Sequence, residues 1–142
     1  MFSKIRFLFV LPFILLIAGT AYAQNPQPQH NGRTWQVAFW NNMDQSGPPV
    51  LTAVHQSIHW DWGYGSPDHS IQKDHFSGRW TEDIEVNTGT FRFTVTSDDG
   101  VRLFIDNHLV IDEWREQPAS TFIVDVPLSA GRHLVIVDYF EK

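Results

Sequence analysis

Thr90 to Trp114 reads TFRFTVTSDDGVRLFIDNHLVIDEW, and its periodicity decides the fold. Phe91, Phe93 and Val95 share one parity, while Arg92, Thr94 and Thr96 share the other. Successive side chains of an extended chain point to opposite faces, so this is a strand with one buried and one wet face. Ser97-Asp98-Asp99-Gly100 interrupts the alternation. Val101, Leu103 and Ile105 then resume it against Arg102, Phe104 and Asp106. Asp106-Asn107-His108 has turn chemistry, because Asn tolerates a left-handed backbone. Leu109 to Trp114 reads as the returning strand.

The same pattern extends outward in both directions. Trp35, Val37 and Phe39 alternate with Gln36, Ala38 and Trp40, and Asn41 to Pro49 is a loop rich in Asn, Gly and Pro. Ser57 to Trp62 alternates until Gly63-Tyr64-Gly65-Ser66-Pro67 breaks the pattern, and Phe76 to Val86 holds a further strand or two. Thr121 to Val126 and Arg132 to Phe140 are the last two strands, separated by Leu128-Ser129-Ala130-Gly131. No window sustains a period of 3.6, and turn signals recur throughout. The expected fold class is all-β, an antiparallel β-barrel or β-sandwich.

The 142 residues allow one domain. Cysteine is absent, which removes disulfides, thiol nucleophiles, iron–sulfur clusters and cysteine zinc sites. Residues 1–23 read as an export signal: Lys4 and Arg6 form a basic start, Phe7 to Ala18 is an apolar run, and Ala21-Tyr22-Ala23 supplies a small-x-small cleavage pattern. Residues 24–32 (QNPQPQHNG) are a polar spacer, and 33–142 is the β domain. Beyond the signal, 8 basic residues face 16 acidic ones. A chain that acidic repels phosphate backbones and anionic lipid, so nucleic acid is not an expected partner, nor is membrane insertion after signal cleavage. The expected location is secreted or extracytoplasmic. Without disulfides, an exported domain of this size relies on its core, its sheets or a bound ion.

Catalytic motifs are weak, and no catalytic residue is assigned. His55 and His59 are four apart, but Gln56 stands where a zinc protease motif carries Glu, and the segment is strand-like. Gly-x-Ser-x-Gly does not occur. Paired glycosidase carboxylates face each other across about 5 to 10 Å from separate elements, unlike the adjacent pairs Asp98–Asp99 and Asp112–Glu113. Asp98 and Asp99 are nonetheless the most informative spot. Both carboxylates reach one ion only if the backbone leaves strand geometry, through a tight turn or a cis peptide. Calcium is the fitting cation, since its ligands are oxygens. The competing expectation is a plain Asp-Gly hairpin turn between Thr96 and Val101. Trp35, Trp60 and Trp80 are expected in the core. Trp62, Tyr64 and Trp114, in a Gly-rich break and at a strand end, are candidates for exposed ligand contact.

Taken together, several ordered blocks resemble the PA-fourteen domain, named for the amino-terminal fragment of anthrax protective antigen. They are Phe76-Ser77-Gly78-Arg79-Trp80-Thr81, Gly89 to Phe93, Ser97 to Asp106 and Leu109 to Trp114. Trp60-Asp61-Trp62-Gly63 with Ser66-Pro67, and Gly131-Arg132-His133 with Tyr139-Phe140-Glu141, add to the likeness, which runs from about Thr34 to Lys142. The resemblance implies a β-barrel or β-sandwich found in glycosidases, adhesins, toxins and flocculins. In lectin-like members an Asp-Asp pair joined by a cis peptide holds calcium and sugar hydroxyls complete the coordination; Asp98 and Asp99 match that pair. It implies a secreted, non-catalytic carbohydrate-binding module, calcium-dependent, with a glycan or polysaccharide as partner. The alternatives are a structural or protein-interaction domain of an adhesin- or toxin-like protein, and an accessory module of a larger glycoside hydrolase. The family continues past the Tyr-Phe-Glu block into a closing strand, whereas this sequence stops at Lys142. The expectation is a domain truncated at its C-terminus, with unpaired edge groups on the Arg132–Phe140 strand.

Overall fold

Alternation is realised as ten strands in a computed structural model that describes residues 3–10 and 34–142. In chain order they are β1 (Ser3–Val10), β2 (Trp35–Trp40), β3 (Leu51–His55), β4 (His59–Gly63), β5 (Phe76–Val86), β6 (Gly89–Asp98), β7 (Gly100–Ile105), β8 (His108–Glu113), β9 (Ser120–Leu128) and β10 (Gly131–Glu141). They build two antiparallel sheets, one of four strands in the order β4-β1-β6-β9 and one of six in the order β3-β2-β5-β10-β7-β8. The all-β expectation holds, as a sandwich.

The parity read from the sequence decides which side chains meet between the sheets. Phe91, Phe93 and Val95 of β6, Val101, Leu103 and Ile105 of β7, and Val135, Val137 and Tyr139 of β10 are all buried. Trp35, Val37, Phe39 and Trp80 join them, with the Phe39 and Trp80 rings edge to face at 5.4 Å. Each such side chain withdrawn from water stabilises the fold by about 1.5–3 kcal/mol before ordering costs. Polar partners fill the opposite parity. On the outer face of the first sheet, Arg92 grips Asp125 with two bonds of 2.7 Å across β6 and β9. Across β5 and β10, Arg79 holds the buried Asp138 at 2.6 and 2.7 Å. The β7–β8 hairpin turns on Asp106 and Asn107, both with positive φ (49° and 63°), as the turn chemistry requires.

Two local expectations differ from the structure. Asp98–Asp99 is not a hairpin turn: β6 pairs with β1 and β9 in one sheet, and β7 pairs with β10 and β8 in the other. The acid pair is the corner at which the chain crosses between sheets. The Arg132–Phe140 strand has no open edge either, because β10 lies between β5 and β7 and pairs with both. Separately, Ser3–Val10, at the start of the stretch read as an export signal, forms β1 between β4 and β6. The rest of that stretch, residues 11–23, and the spacer 24–32 lie outside the described residues.

Candidate functional site

The corner joins β6 to β7 through a cis Asp98–Asp99 peptide, and both acids are buried, at 5% and 1% exposure. Gly100 follows because nothing larger fits. A Cβ there would stand 2.1 Å from a Phe140 ring carbon, and Phe140 is itself buried. Four residues close around the pair. Ser97 donates its hydroxyl to the Asp99 carbonyl at 2.7 Å, and the Gln117 amide nitrogen donates to the same oxygen at 3.0 Å. The Gln117 backbone N–H donates to Asp99 Oδ1, and the Lys142 backbone N–H donates to Asp99 Oδ2, each at 3.1 Å. Tyr139 places its hydroxyl 2.7 Å from the Asp98 carbonyl oxygen and 2.5 Å from Glu141 Oε2.

Asp99 is therefore anchored through both carboxylate oxygens, each of which keeps a further lone pair. Asp98 is not. Its Oδ1 is buried with no hydrogen-bond partner, and so is Gln117 Oε1. Burial, and then the neighbouring charge of Asp99, raise the Asp98 pKa above its ordinary value; a backbone N–H from Ala119 and the charge of Lys4 oppose this. Two buried acids side by side, one short of donors, make a site of negative potential lined by oxygen. Among the described residues, no group of three or more His, Cys, Asp or Glu converges as a metal cage. Calcium takes six to eight oxygen ligands and accepts carbonyl and amide oxygens as well as carboxylates. In donor type Asp98 and Asp99 fit a hard cation, and the partnerless oxygen of Asp98 lacks what a cation would supply.

Trp62 and Trp114 pack on neighbouring residues of β10, Tyr139 and Phe140, on opposite sides of that strand. Trp62, half-buried, lies 5.9 Å from the Tyr139 ring and stacks flat on Trp60 at 6.1 Å, with Phe39 and Phe76 edge-on. Trp114, also half-buried, meets Phe140 at 4.9 Å, and the Arg102 guanidinium sits 4.8 Å over its ring. Tyr139 and Phe140 are sequence neighbours on one strand, so their side chains take opposite faces and the two tryptophans do not share a surface. Tyr64, after the β4 end, is 74% exposed. The core expectation holds for Trp35 and Trp80, while Trp60 packs on the core half-buried with its indole N–H unpartnered. His55 and His59 fall on strands of different sheets. The His55 Nδ1 accepts the Trp80 indole N–H at 3.2 Å, and burial lowers its pKa.

Gln117, Ser97 and the backbone of Lys142 were not singled out in the sequence. A lone Gln in the Glu116-Gln117-Pro118 loop has no periodicity to mark it. Tyr139 was visible only within the Tyr-Phe-Glu block.

Comparison with known proteins agrees with the fold. The model of the PA14 domain matches residues 32–141. Over 105 residues the chain is 39% identical to anti-sigma-I factor RsgI3 of Acetivibrio thermocellus, covering 72% of this chain and 16% of that protein. A solved anti-sigma factor domain-containing protein superposes with TM-score 0.70 at 37% identity, over 75% of this chain and 38% of the other. A second, from Clostridium clariflavum, gives 0.66 at 31% identity, over 77% and 37%. The chain thus spans well under half the length of these relatives. From the ordered strands, the buried acid corner and a match over nearly all of residues 34–142, the chain belongs to the PA14 domain family.

Proposed function

We propose that the domain is a non-catalytic, extracytoplasmic carbohydrate-binding module that holds calcium through Asp98 and Asp99. The observation that carries this reading is the partnerless Asp98 Oδ1 beside the buried, fully anchored Asp99. A divalent cation neutralises both acids and gives that oxygen the partner it lacks; its remaining coordination is open to sugar hydroxyls. The exposed Tyr64 offers a ring face for sugar stacking, and the half-buried Trp62 and Trp114 are further candidates for sugar contact. Relatives named as anti-sigma factors fit a domain that detects a ligand, here a glycan or polysaccharide, rather than one that transforms it.

The test is binding of the protein to a panel of soluble and insoluble polysaccharides, with calcium and with chelator, beside Asp99→Asn. Binding that is lost in chelator and in the variant supports the reading. Binding that survives both removes calcium from it. Folded protein that titrates with calcium yet binds no glycan removes the carbohydrate and favours a protein-interaction domain.

A further inference from the structure

We infer that the outer face of the six-stranded sheet carries a subsite for an uncharged polysaccharide, where Arg102 and Asp112 hold neighbouring hydroxyls beside an apolar strip of Phe104, Ile136 and Leu109. The inference rests on the reading of the ligand as a glycan and adds a contact outside the acid corner. The six strands of this sheet all follow residue 23. Their outward side chains form rows across the strands. One row runs Arg79, Asp138, Arg102, Asp112 over β5, β10, β7 and β8, and the next runs Thr81, Ile136, Phe104, Leu109. Half of the charged row is closed: Asp138 is buried, and Arg79 occupies both its oxygens. The other half is open. Arg102 uses Nε on Asp112 Oδ1 at 2.8 Å; among the described residues, its two terminal nitrogens and Asp112 Oδ2 have no hydrogen-bond partner. The two side chains are 36% and 52% exposed. Trp114 steadies the guanidinium from another side, its ring centroid 4.8 Å away. The free donors are thus in place before a ligand arrives, which lowers the entropy lost on binding.

The chemistry of the open half selects its ligand. It offers donors and an acceptor within one ion pair, no net charge, and an apolar strip alongside in which Phe104 and Ile136 are half-buried and Leu109 is exposed. Sugar hydroxyls donate and accept at once, and the C–H faces of the ring suit the strip. A phosphate or uronate would meet Asp112 on a chain with 16 acidic residues against 10 basic ones. A lipid or an apolar peptide would take Arg102 and Asp112 out of water without replacing their hydrogen bonds. The subsite also adjoins the acid corner. Phe140, whose ring lies against Gly100, packs on Trp114 at 4.9 Å, and Arg102 sits over Trp114.

Affinity electrophoresis in calcium, through gels holding soluble xylan, galactomannan, mixed-linkage β-glucan or polygalacturonate, reads binding as retardation. The parent should be retarded by a neutral polymer more than by polygalacturonate. Arg102→Met keeps the stem over Trp114 and removes every side-chain N–H; it should weaken that binding roughly ten-fold, the scale of one charge-assisted hydrogen bond. Arg102→Lys, which keeps the charge without the fork, should weaken it less. Ile123→Ser, exposed on the outer face of the other sheet, should bind as the parent does. All three variants should keep the rise in melting midpoint that calcium gives the parent. Equal retardation of parent and Arg102→Met by the neutral polymer overturns the inference and leaves the acid corner standing. Retardation by no polymer overturns it together with the glycan reading. Tighter binding of polygalacturonate overturns the uncharged ligand. Loss of the calcium response along with binding in both Arg102 variants overturns it as well, since the arginine would then be holding the fold.

Discussion

Replacing Asp98 by Asn should reverse the order of stability between metal-free and calcium-loaded protein. In the metal-free protein Asp98 is buried, its Oδ1 has no partner, and Asp99 is adjacent. A buried polar group without a partner costs roughly 1–3 kcal/mol, more when charged. Asn keeps the shape and removes the charge, so the variant should gain about 1–2 kcal/mol at neutral pH. For a domain of this size that is about 4–8 °C in melting midpoint. The sign in pH follows from the raised Asp98 pKa: the folded state holds this proton more tightly than the unfolded one. Asp98 thus costs the parent stability as pH rises through its folded pKa. The advantage of Asn should fade as pH falls back through that range and vanish below the ordinary value near 3.8. With calcium at a hundred times its dissociation constant the parent gains about 2.7 kcal/mol and the variant little, so their order inverts. Differential scanning calorimetry in chelator and in calcium, from pH 4 to 8, reads both effects. An Asn variant that melts below the parent in chelator and responds to calcium as the parent does would refute the reasoning.

Other consequences are as direct. Gly100→Ala places a methyl 2.1 Å from the Phe140 ring and should cost about 1–3 kcal/mol in urea unfolding; Phe140→Ala in the same chain should recover part of that loss. His133 offers Nδ1 to Asp106 Oδ2 at 2.6 Å and Nε2 to the Ser129 carbonyl at 3.0 Å, so both bonds form only when the ring is protonated. The Asp106 contact, then the Ser129 carbonyl, raise the His133 pKa, and His133 lowers that of Asp106. The stabilisation His133 brings is complete below about pH 6.5 and is lost as pH rises through its folded pKa, while the share from Asp106 is lost as pH falls below about 4. His133→Gln should flatten the alkaline side of that profile, as followed by tryptophan fluorescence in urea. Arg79→Ala strands the buried Asp138; because Arg79 is part-exposed, the expected loss is roughly 1–3 kcal/mol, and Asp138→Asn added to it should restore some of that in the same assay.

Most of the sandwich was legible because it is built from one-sided strands. The parity of Phe91, Phe93 and Val95, or of Val101, Leu103 and Ile105, follows from which face is dry, and the structure buries those residues. β3 escaped notice for the converse reason. Leu51, Ala53 and His55 are only half-buried and Val54 is exposed, so no strong contrast marks the five residues LTAVH. The acid pair could be singled out, but not the corner it makes. Alternation says where a strand stops and is silent on which sheet the next one joins. The anchors Gln117 and Lys142 come from 18 and 43 residues away, and the neighbouring Ser97 acts through one hydroxyl; such single polar contacts leave no period in the sequence.

β1 shows why composition alone could not assign the first residues. A leader is recognised by a basic start and an apolar run, and a buried strand by alternation. Lys4-Ile5-Arg6-Phe7-Leu8 satisfies both, because each basic residue sits beside an apolar one. Outward Lys4 and Arg6 and inward Ile5 and Phe7 are what an interior strand of a half-wet sheet needs. The same charges are what an export signal shows at its start. The two readings separate only through the neighbours: Trp35 and Phe93 offer Phe7 a site between the sheets, and β4 and β6 present facing edges that nothing else among the described residues pairs. A segment that matches both uses is drawn to the sheet by two hydrogen-bonded flanks, the buried Ile5 and the partly buried Phe7 ring.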